Sequence, residues 1–448
     1  MERAEAVVVG AGIAGLAAAW ELRDRDVVVL EAADRVGGRI RSERRGDYWL
    51  NFGAHVFGGP GSASGRLLQA AGAELRPVPG RLAAVALNGK LVSSGPVELF
   101  PFRLPMPLAA RLALVRAGIK LRIAVRRYAA VAAVRERESP AARQQRLLEF
   151  LDDRSFAEFI GALPEDADLL FRSTLTRSSG EPEELAAGYG VGYFHLVWNR
   201  DAGLSRNVLG GPGAAVEALA AGLTGRVRTS AAVRAVEAVA GGVRVRYACA
   251  GEERELEARA AVVATPAYVT REIVTGLPDE TSAALGAIPY GPYVVGAFLT
   301  GEQGPMPWDD LYALATPKRS FSMLFNTANV LRGGPRRPGG SLMVYAAAGF
   351  ARRLEGLDDD AVRERFLADL RDLFPETRGI VEDVAVRRWE RGLPYPRPGR
   401  SLLQAALSRP LGPVVLAGDY LGTWYTETSV QTGLDAAGAV RRALSAPP

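Results

Sequence analysis

The run Val7-Val8-Val9-Gly10-Ala11-Gly12-Ile13-Ala14-Gly15, followed by Val27-Val28-Val29-Leu30-Glu31, leaves few folds open to the amino-terminal region. An apolar triplet, glycines spaced G-x-G-x-x-G, a helix-forming stretch and a second apolar strand ending in an acid together predict a dinucleotide-binding βαβ unit. Gly10 allows the tight turn out of the strand, Gly12 lets the backbone approach a pyrophosphate, and Gly15 lets helix and strand pack closely. The phosphates then rest on the helix N-terminus, beside Ile13 and Ala14. Glu31 stands about twenty residues past the first glycine, where an acid accepts hydrogen bonds from a ribose diol and repels a 2′-phosphate. In a chain with 50 glycines the glycine pattern alone would be weak evidence. The strand before it, the helix after it and the acid at this distance give it meaning.

Two further segments say which dinucleotide. After Glu31 comes Ala32-Ala33-Asp34-Arg35-Val36-Gly37-Gly38-Arg39-Ile40-Arg41-Ser42, in which paired glycines permit positive φ and Arg39 supplies a fork of donors for phosphate oxygens or a flavin edge. Near the other end, Val414-Val415-Leu416-Ala417-Gly418-Asp419 reads as a buried strand ending at an acid, and Thr428 to Val440 as a small-residue helix. The first segment resembles the E-x-x-x-x-x-G-G-R-x-x-S/T extension of the flavin-containing amine oxidase superfamily, and the second its A-G-D…G-A-V-x-S-G-x-x-A-A region. That superfamily includes monoamine and polyamine oxidases, protoporphyrinogen oxidase and plant-type carotene desaturases. The resemblance implies FAD bound by Gly10, Gly12, Ile13, Ala14, Gly15, Glu31, Ala32, Gly37, Gly38 and Arg39. It further implies Asp419, after Gly418, on the ribityl chain, and Ser429 and Val430 at a helix N-terminus facing the flavin pyrimidine. Val233 would touch the adenine end through its backbone. Val208 to Gly213 before an Ala/Leu helix, the alternating stretches 232–236 and 243–247, and Ala261 to Pro266 extend the likeness over nearly the whole chain.

A chain of 448 residues, 48% apolar, is long enough for two or three domains. The expected fold class is α/β with α+β insertions: a Rossmann-like FAD-binding domain discontinuous over 1–95, 201–285 and 386–448, with an interleaved substrate domain of helices and an antiparallel sheet over 96–200 and 286–385. The pocket would lie between them. Residues 193–198, with His195, read as a pocket or core strand. The single cysteine, Cys249, excludes an internal disulfide and a cysteine-based metal site, and its place in a predicted strand points to non-covalent FAD. No apolar run reaches membrane-spanning length, and the first strand begins so early that no signal peptide is expected, which predicts a cytoplasmic protein.

Charge carries one further signal. From Leu99 through Arg135 there is no acid, while eight bases interleave with aliphatic residues. On a helical wheel Ala110, Ala113, Leu114, Ala117, Leu121 and Val125 share one half and the bases the other. An ordinary lid-domain helix, a membrane-surface helix over 106–131 and a guide for an anionic substrate all fit this pattern. Nucleic-acid binding has no aromatic interleaving or motif to support it.

Three places bear on the substrate, and they disagree. Tyr395 and Tyr425 match the two aromatics that flank the substrate nitrogen in amine oxidases, where ring faces hold a neutral or cationic nitrogen. The segment Ile288 to Gly296 lacks the lysine that many amine oxidases place near the flavin, and Val295 stands in its position. The stretch Gly53-Ala54-His55-Val56-Phe57-Gly58-Gly59 looks like a carotene-desaturase segment, with His55 a candidate proton acceptor. The sequence therefore predicts an FAD-dependent oxidoreductase that removes hydride from a C–H of a largely apolar, nitrogen-containing small molecule, with O2 as acceptor. C–C desaturation of a polyene or tetrapyrrole is the close alternative. A non-redox flavoprotein, an isomerase or a binding protein, is the alternative of another class.

Overall fold

The computed structural model describes residues 2–78, 80, 83–198, 204–423 and 425–445. Its first sheet is built on the valine runs. Glu2–Val9 lies parallel between Val27–Leu30 and Glu252–Val263; Val227–Arg228 extends one side and Val414–Leu416 pairs with Glu252–Val263 on the other. Alternate side chains enter different cores, which explains why these strands read as continuous apolar runs. Ala6, Val8, Val27 and Val29 pack under the helix Ile13–Glu21 and the carboxy-terminal helix Tyr425–Ser445. Val7, Val9, Val28 and Leu30 pack against residues of the antiparallel pair Ala231–Val239 and Gly242–Cys249. The Cys249 thiol is free and partly exposed at the end of this pair.

The two helices that cover this sheet come from opposite ends of the chain. A Cβ on Gly433 would lie 2.2 Å from the carbonyl oxygen of Ala14, so only glycine lets the helices approach this closely.

The second sheet runs in the order Val381–Pro394, Tyr290–Thr300, Gly340–Ala347, Met323–Asn326, Ala313–Ala315, Ala84–Leu87, Lys90–Val92. All its pairings are antiparallel except that of Ala313–Ala315 with Ala84–Leu87. One face, with Val294, Phe298, Leu342 and Val344, is closed by Val362, Phe366 and Leu370 of the helix Asp359–Leu373. The other carries Val295, Tyr345, Phe325 and Met343, with Tyr293 and Trp389 against them. This sheet takes in strands at 84–92, which the expected division placed with the dinucleotide half, and Val381–Pro394, which that division cuts at 385/386. Strand pairing across the chain, which local pattern does not encode, recruits them. The expected division at 200/201 falls outside the described residues.

Between the halves sit helices Leu108–Ala132, Pro140–Glu149, Phe156–Ile160, Glu165–Leu175 and Ala187–Trp198. The last of these corrects the strand expected around His195: residues 193–198 end a helix. Its glycines form a narrow face, since a Cβ on Gly188 would meet the Phe150 carbonyl oxygen at 1.5 Å and one on Gly190 the Phe156 ring at 2.3 Å. Tertiary packing against that face overrides the aromatic and β-branched bias of the segment's end.

The helix crossing at Gly433 gives a direct check. Gly433→Ala forces the two terminal helices apart and is expected to lower unfolding stability by about 1–3 kcal/mol. Urea unfolding of the purified variant measures this, and an unchanged midpoint would contradict the packing.

Candidate functional site

The loop from Gly10 to Gly15 is shaped by its glycines. Gly10 has φ of +96°, and a Cβ on Gly15 would stand 1.9 Å from the Gly10 carbonyl oxygen. Gly12 is different: a Cβ there would meet nothing within 4 Å. The space in front of Gly12 is therefore open at the start of the helix Ile13–Glu21, which has no side-chain cap and no acid in its first turn. Exposed N–H groups at an uncapped helix start are suited to an anion. The glycine positions and the open approach fit a pyrophosphate.

Glu31 turns back onto this loop, accepting from Ala11 N at 2.6 Å and Ala33 N at 2.9 Å. A carboxylate has about four lone-pair directions, so capacity remains for a ribose diol. Ala32 is exposed beside it. On the neighbouring strand, Val233 pairs with Tyr247 just before a bulge that skips Arg234, which frees backbone groups at that edge.

The Gly37-Gly38 turn, with φ of +98° and +54°, is tied to the loop by Gly37 N to Ala11 O at 2.8 Å and by Arg35 Nη2 to Gly38 O at 2.7 Å. It delivers Arg39, part-exposed, to the buried Asp419. There Arg39 lies 2.8 Å from Asp419 and donates to the carbonyl oxygen of Gly392 at 3.0 Å. Gly418, at φ of +148°, lets the chain turn against the Tyr420 ring. The carboxy-terminal helix begins at Tyr425, a turn earlier than Thr428, and Trp424 before it lies outside the described residues. Glu427 in the first turn favours that earlier start. Ser429 and Val430 therefore sit inside the helix: Ser429 Oγ donates to Tyr425 O at 2.9 Å, and Val430 is fully buried in the first core.

An open cleft of about 1450 Å³ runs from Tyr312 and Ala313 past the helices to Gln431, Asp435 and Ala439 of Tyr425–Ser445. Arg177, Tyr193, Tyr312 and Tyr425 are among its lining residues, and the end of Leu108–Ala132 reaches it through Tyr128, Ala129 and Ala132. Tyr425 Oη donates to Ser178 Oγ at 2.8 Å. Tyr425 also shares a small void with Tyr395, Asp419 and Tyr420, while Tyr395 is buried in the core between the helices. The two tyrosines are thus brought together, and Tyr425 joins that void to the cavity. Burial pushes the phenols of Tyr293, Tyr345 and Tyr425 upward, so they are neutral at physiological pH.

His55 lies edge-on to Phe325, with ring centroids 4.7 Å apart, and its Nδ1 is 3.0 Å from the Gly53 carbonyl oxygen. That contact assigns the proton to Nδ1 and leaves Nε2, buried and without a partner, as an acceptor. Burial, with the Arg177 charge adding to it and the Gly53 contact opposing it, lowers the His55 pKa to about 4. Val295 is buried, paired across the strands with Tyr345. His195 lines the cavity, its ring 5.5 Å from Tyr128, and burial lowers its pKa.

Sequence reasoning missed Arg177, Tyr193, Tyr293, Tyr312, Phe325 and Tyr345, which line this cavity or face it from the sheet. For Tyr293 and Tyr345 the available signal was their place on strand-like runs, two residues from Val295 and Met343 on the same face; for an arginine in so arginine-rich a chain there was none. Among the described residues no cluster of three potential metal ligands occurs, and no helix is long and apolar enough to cross a membrane.

An uncapped glycine loop on a parallel sheet, an acid turned onto that loop and a part-buried arginine–aspartate pair joining distant segments stand beside the cleft. The family model for flavin-containing amine oxidoreductases matches residues 13–441, and the chain belongs to that family. Cyclohexylamine oxidase from Brevibacterium oxydans has a similar structure, with a TM-score of 0.79 at 21% identity over 99% of this chain and 100% of that one. Putrescine oxidase bound to putrescine is similar at a TM-score of 0.78 and 20% identity, over 98% and 99% of the two chains. Among curated proteins, a possible lysine-specific histone demethylase 1 of Drosophila melanogaster is 53% identical over 55 residues, 12% of this chain and 6% of its own length. An L-amino-acid oxidase of Crotalus adamanteus is 53% identical over 49 residues, 10% of each chain. The chain thus spans a tenth or less of either curated relative in these matches.

The His55 environment predicts a pH effect. The unfolded chain protonates this ring near pH 6.5 and the folded protein near 4, so between those values the unfolded state binds more protons and stability falls as pH falls. Denaturation midpoints measured from pH 7 to pH 4 should decline less in His55→Gln, the difference reaching about 3 kcal/mol at most. Parallel declines in the two proteins would refute the neutral, enclosed ring.

Proposed function

We propose that the chain is an FAD-dependent oxidase acting on a C–H bond of a small, largely apolar, nitrogen-containing molecule, with O2 as electron acceptor and the FAD held without a covalent bond. The carrying observation is the meeting of the Arg39–Asp419 pair, the Tyr395–Tyr425 void and the aromatic cavity, joined through Tyr425. The open N–H groups from Gly12 to Gly15, with Ile13 and Ala14, would hold the pyrophosphate. Glu31 would take the ribose diol with Ala32 alongside, the Val233 backbone the adenine, and Gly37, Gly38 and Arg39 the path between the halves. Gly418 and Asp419 would orient the ribityl chain, and the first turns of Tyr425–Ser445, including Ser429 and Val430, would favour negative charge on the ring system. FAD when bound supplies the two-electron acceptor for the substrate hydride.

The remaining work falls to the chain's own residues. Tyr425 and Tyr395 shape one wall, burial keeps the Tyr425 phenol neutral, and the apolar faces exclude water. His55, held neutral at physiological pH, leaves Nε2 free to accept a hydrogen bond from the substrate rather than serving as a strong base. Val295 offers no polar group where many relatives carry a lysine. The stretch Gly53 to Gly59 around His55, which looks like a carotene-desaturase segment, keeps desaturation of a polyene or tetrapyrrole as the second reading. Anaerobic mixing with amines, polyenes and tetrapyrroles decides between them. An amine is expected to bleach the flavin absorbance and air to return it with peroxide; bleaching by polyenes or tetrapyrroles alone would overturn the amine reading.

We also propose that Leu108–Ala132 rests on an anionic membrane surface, in a protein of the cytosol. Its buried side includes Ala110, Ala117, Leu121 and Val125, as the wheel predicts. Its outer side is not purely charged: Leu108 is 67% exposed, Leu112 62%, Ile119 59% and Ile123 57%. These four fall on one face, with Arg116, Arg126 and Arg127 exposed near them and no acid in the helix. Two copies of this face would set arginine against arginine, whereas aliphatic insertion flanked by arginines suits anionic headgroups. Flotation with phosphatidylglycerol-containing vesicles should capture the protein in a salt-sensitive way, and Ile119→Glu with Ile123→Glu should abolish capture. Failure to bind these vesicles at low salt would overturn the proposal.

A further inference from the structure

We propose that Arg177 is an anion-binding residue of the substrate cavity, so that the molecule oxidised carries a carboxylate or similar group besides its nitrogen. This rests on the oxidase reading above and narrows its substrate class.

The backbone around Arg177 is fixed from several sides. It lies in the short 3-10 turn Thr176–Ser178, followed by Ser179 at φ of +71°. Tyr293 Oη donates to the Arg177 carbonyl oxygen, Ser178 Oγ pairs with Tyr425 Oη, and a Cβ on Gly291 would lie 1.9 Å from the Ser179 carbonyl oxygen. The strand Tyr290–Thr300 is thus pressed against the turn and holds the arginine at the cavity wall.

Among the described residues the side chain has aromatic neighbours and no ion pair. The guanidinium carbon lies 5.5 Å from the Tyr193 ring centre and 5.6 Å from that of Phe325; the Tyr345 hydroxyl accepts a hydrogen bond from it, and the hydroxyls of Tyr193, Tyr312 and Tyr425 and the His55 ring lie close. Among the described residues no carboxylate pairs with it. Nearby Arg172 shows the ordinary arrangement, paired with Asp168, Glu181 and Glu183. The acids on the cavity lining are already engaged: Glu427 accepts from Ala63 N, Ser64 N and Ser64 Oγ, and Asp435 from Gln431. Arg143, Arg206 and Arg409 add positive charge to the same lining, and Arg409 is the one paired there, with Glu280.

A guanidinium cannot shed its proton, and an enclosed charge without a counter-ion is unfavourable unless a ligand supplies one. A carboxylate matches the fork of donors with two parallel hydrogen bonds. A simple protonated amine would instead meet repulsion. A molecule with both groups would place its anionic end on Arg177 and its nitrogen toward Tyr425.

Calorimetric titration of the holoprotein with benzoate, benzamide and benzylamine tests this without turnover. Benzoate should bind the wild type more tightly than the other two. Arg177→Met should weaken benzoate roughly tenfold to a hundredfold while leaving benzamide unchanged. Arg177→Lys, which keeps the charge and loses the fork, should fall between and serves if the methionine variant does not fold. Benzoate binding no tighter than benzamide, or equal in wild type and variants, would overturn the proposal. Benzoate binding as expected, with no amine of any kind reducing the flavin, would retain the anion site and discard the oxidase reading.

Discussion

Arg39 and Asp419 meet at 2.8 Å, joining segments nearly the whole chain apart. Asp419 is buried while the Arg39 side chain is part-exposed, and Arg39 gains a further acceptor in the Gly392 carbonyl. Gly392 belongs to the edge strand Val381–Pro394 of the second sheet, so one guanidinium ties the amino-terminal loop, the carboxy-terminal acid and the substrate half together. The helix crossing at Gly433 and Ala14 brings the same ends together on the other side of the loop. Without these contacts the glycine loop and the aromatic cavity would be separate features of one chain.

The two halves present different electrostatics. The loop from Gly10 to Gly15 offers N–H groups and a partial positive end to an anion, with Glu31 turned back onto it. The cleft instead combines the neutral Tyr425 phenol, the His195 ring and the Arg177 guanidinium, which has no carboxylate partner among the described residues. Its walls are apolar enough to exclude water and its charge is one-sided. The first property is common to oxidation sites, and the second selects among substrates.

Legibility in the sequence followed the range of the interactions. The βαβ unit could be read because its strand, turn and helix are contiguous and each glycine has a local reason, seen in the 1.9 Å approach at Gly15 and the open space at Gly12. The second sheet was harder: strands at 84–92 and 381–394 join it through distant pairing, and nothing local marks their partners. The His195 segment looked extended because its glycine-lined helix is dictated by Phe150 and Phe156. On Leu108–Ala132 the wheel found the buried side but could not show that Leu112 and Ile119 would stay uncovered. Arg177 had no signal of its own, because its meaning lies in the carboxylate that is missing beside it.

The central claim is that both ends of the chain build one site for a single non-covalent FAD. Denaturing the purified protein with acid and identifying the released chromophore tests it most directly. One equivalent of free FAD in the supernatant per chain is the expected result; a colourless protein, released FMN, or colour that stays with the precipitated chain would contradict it.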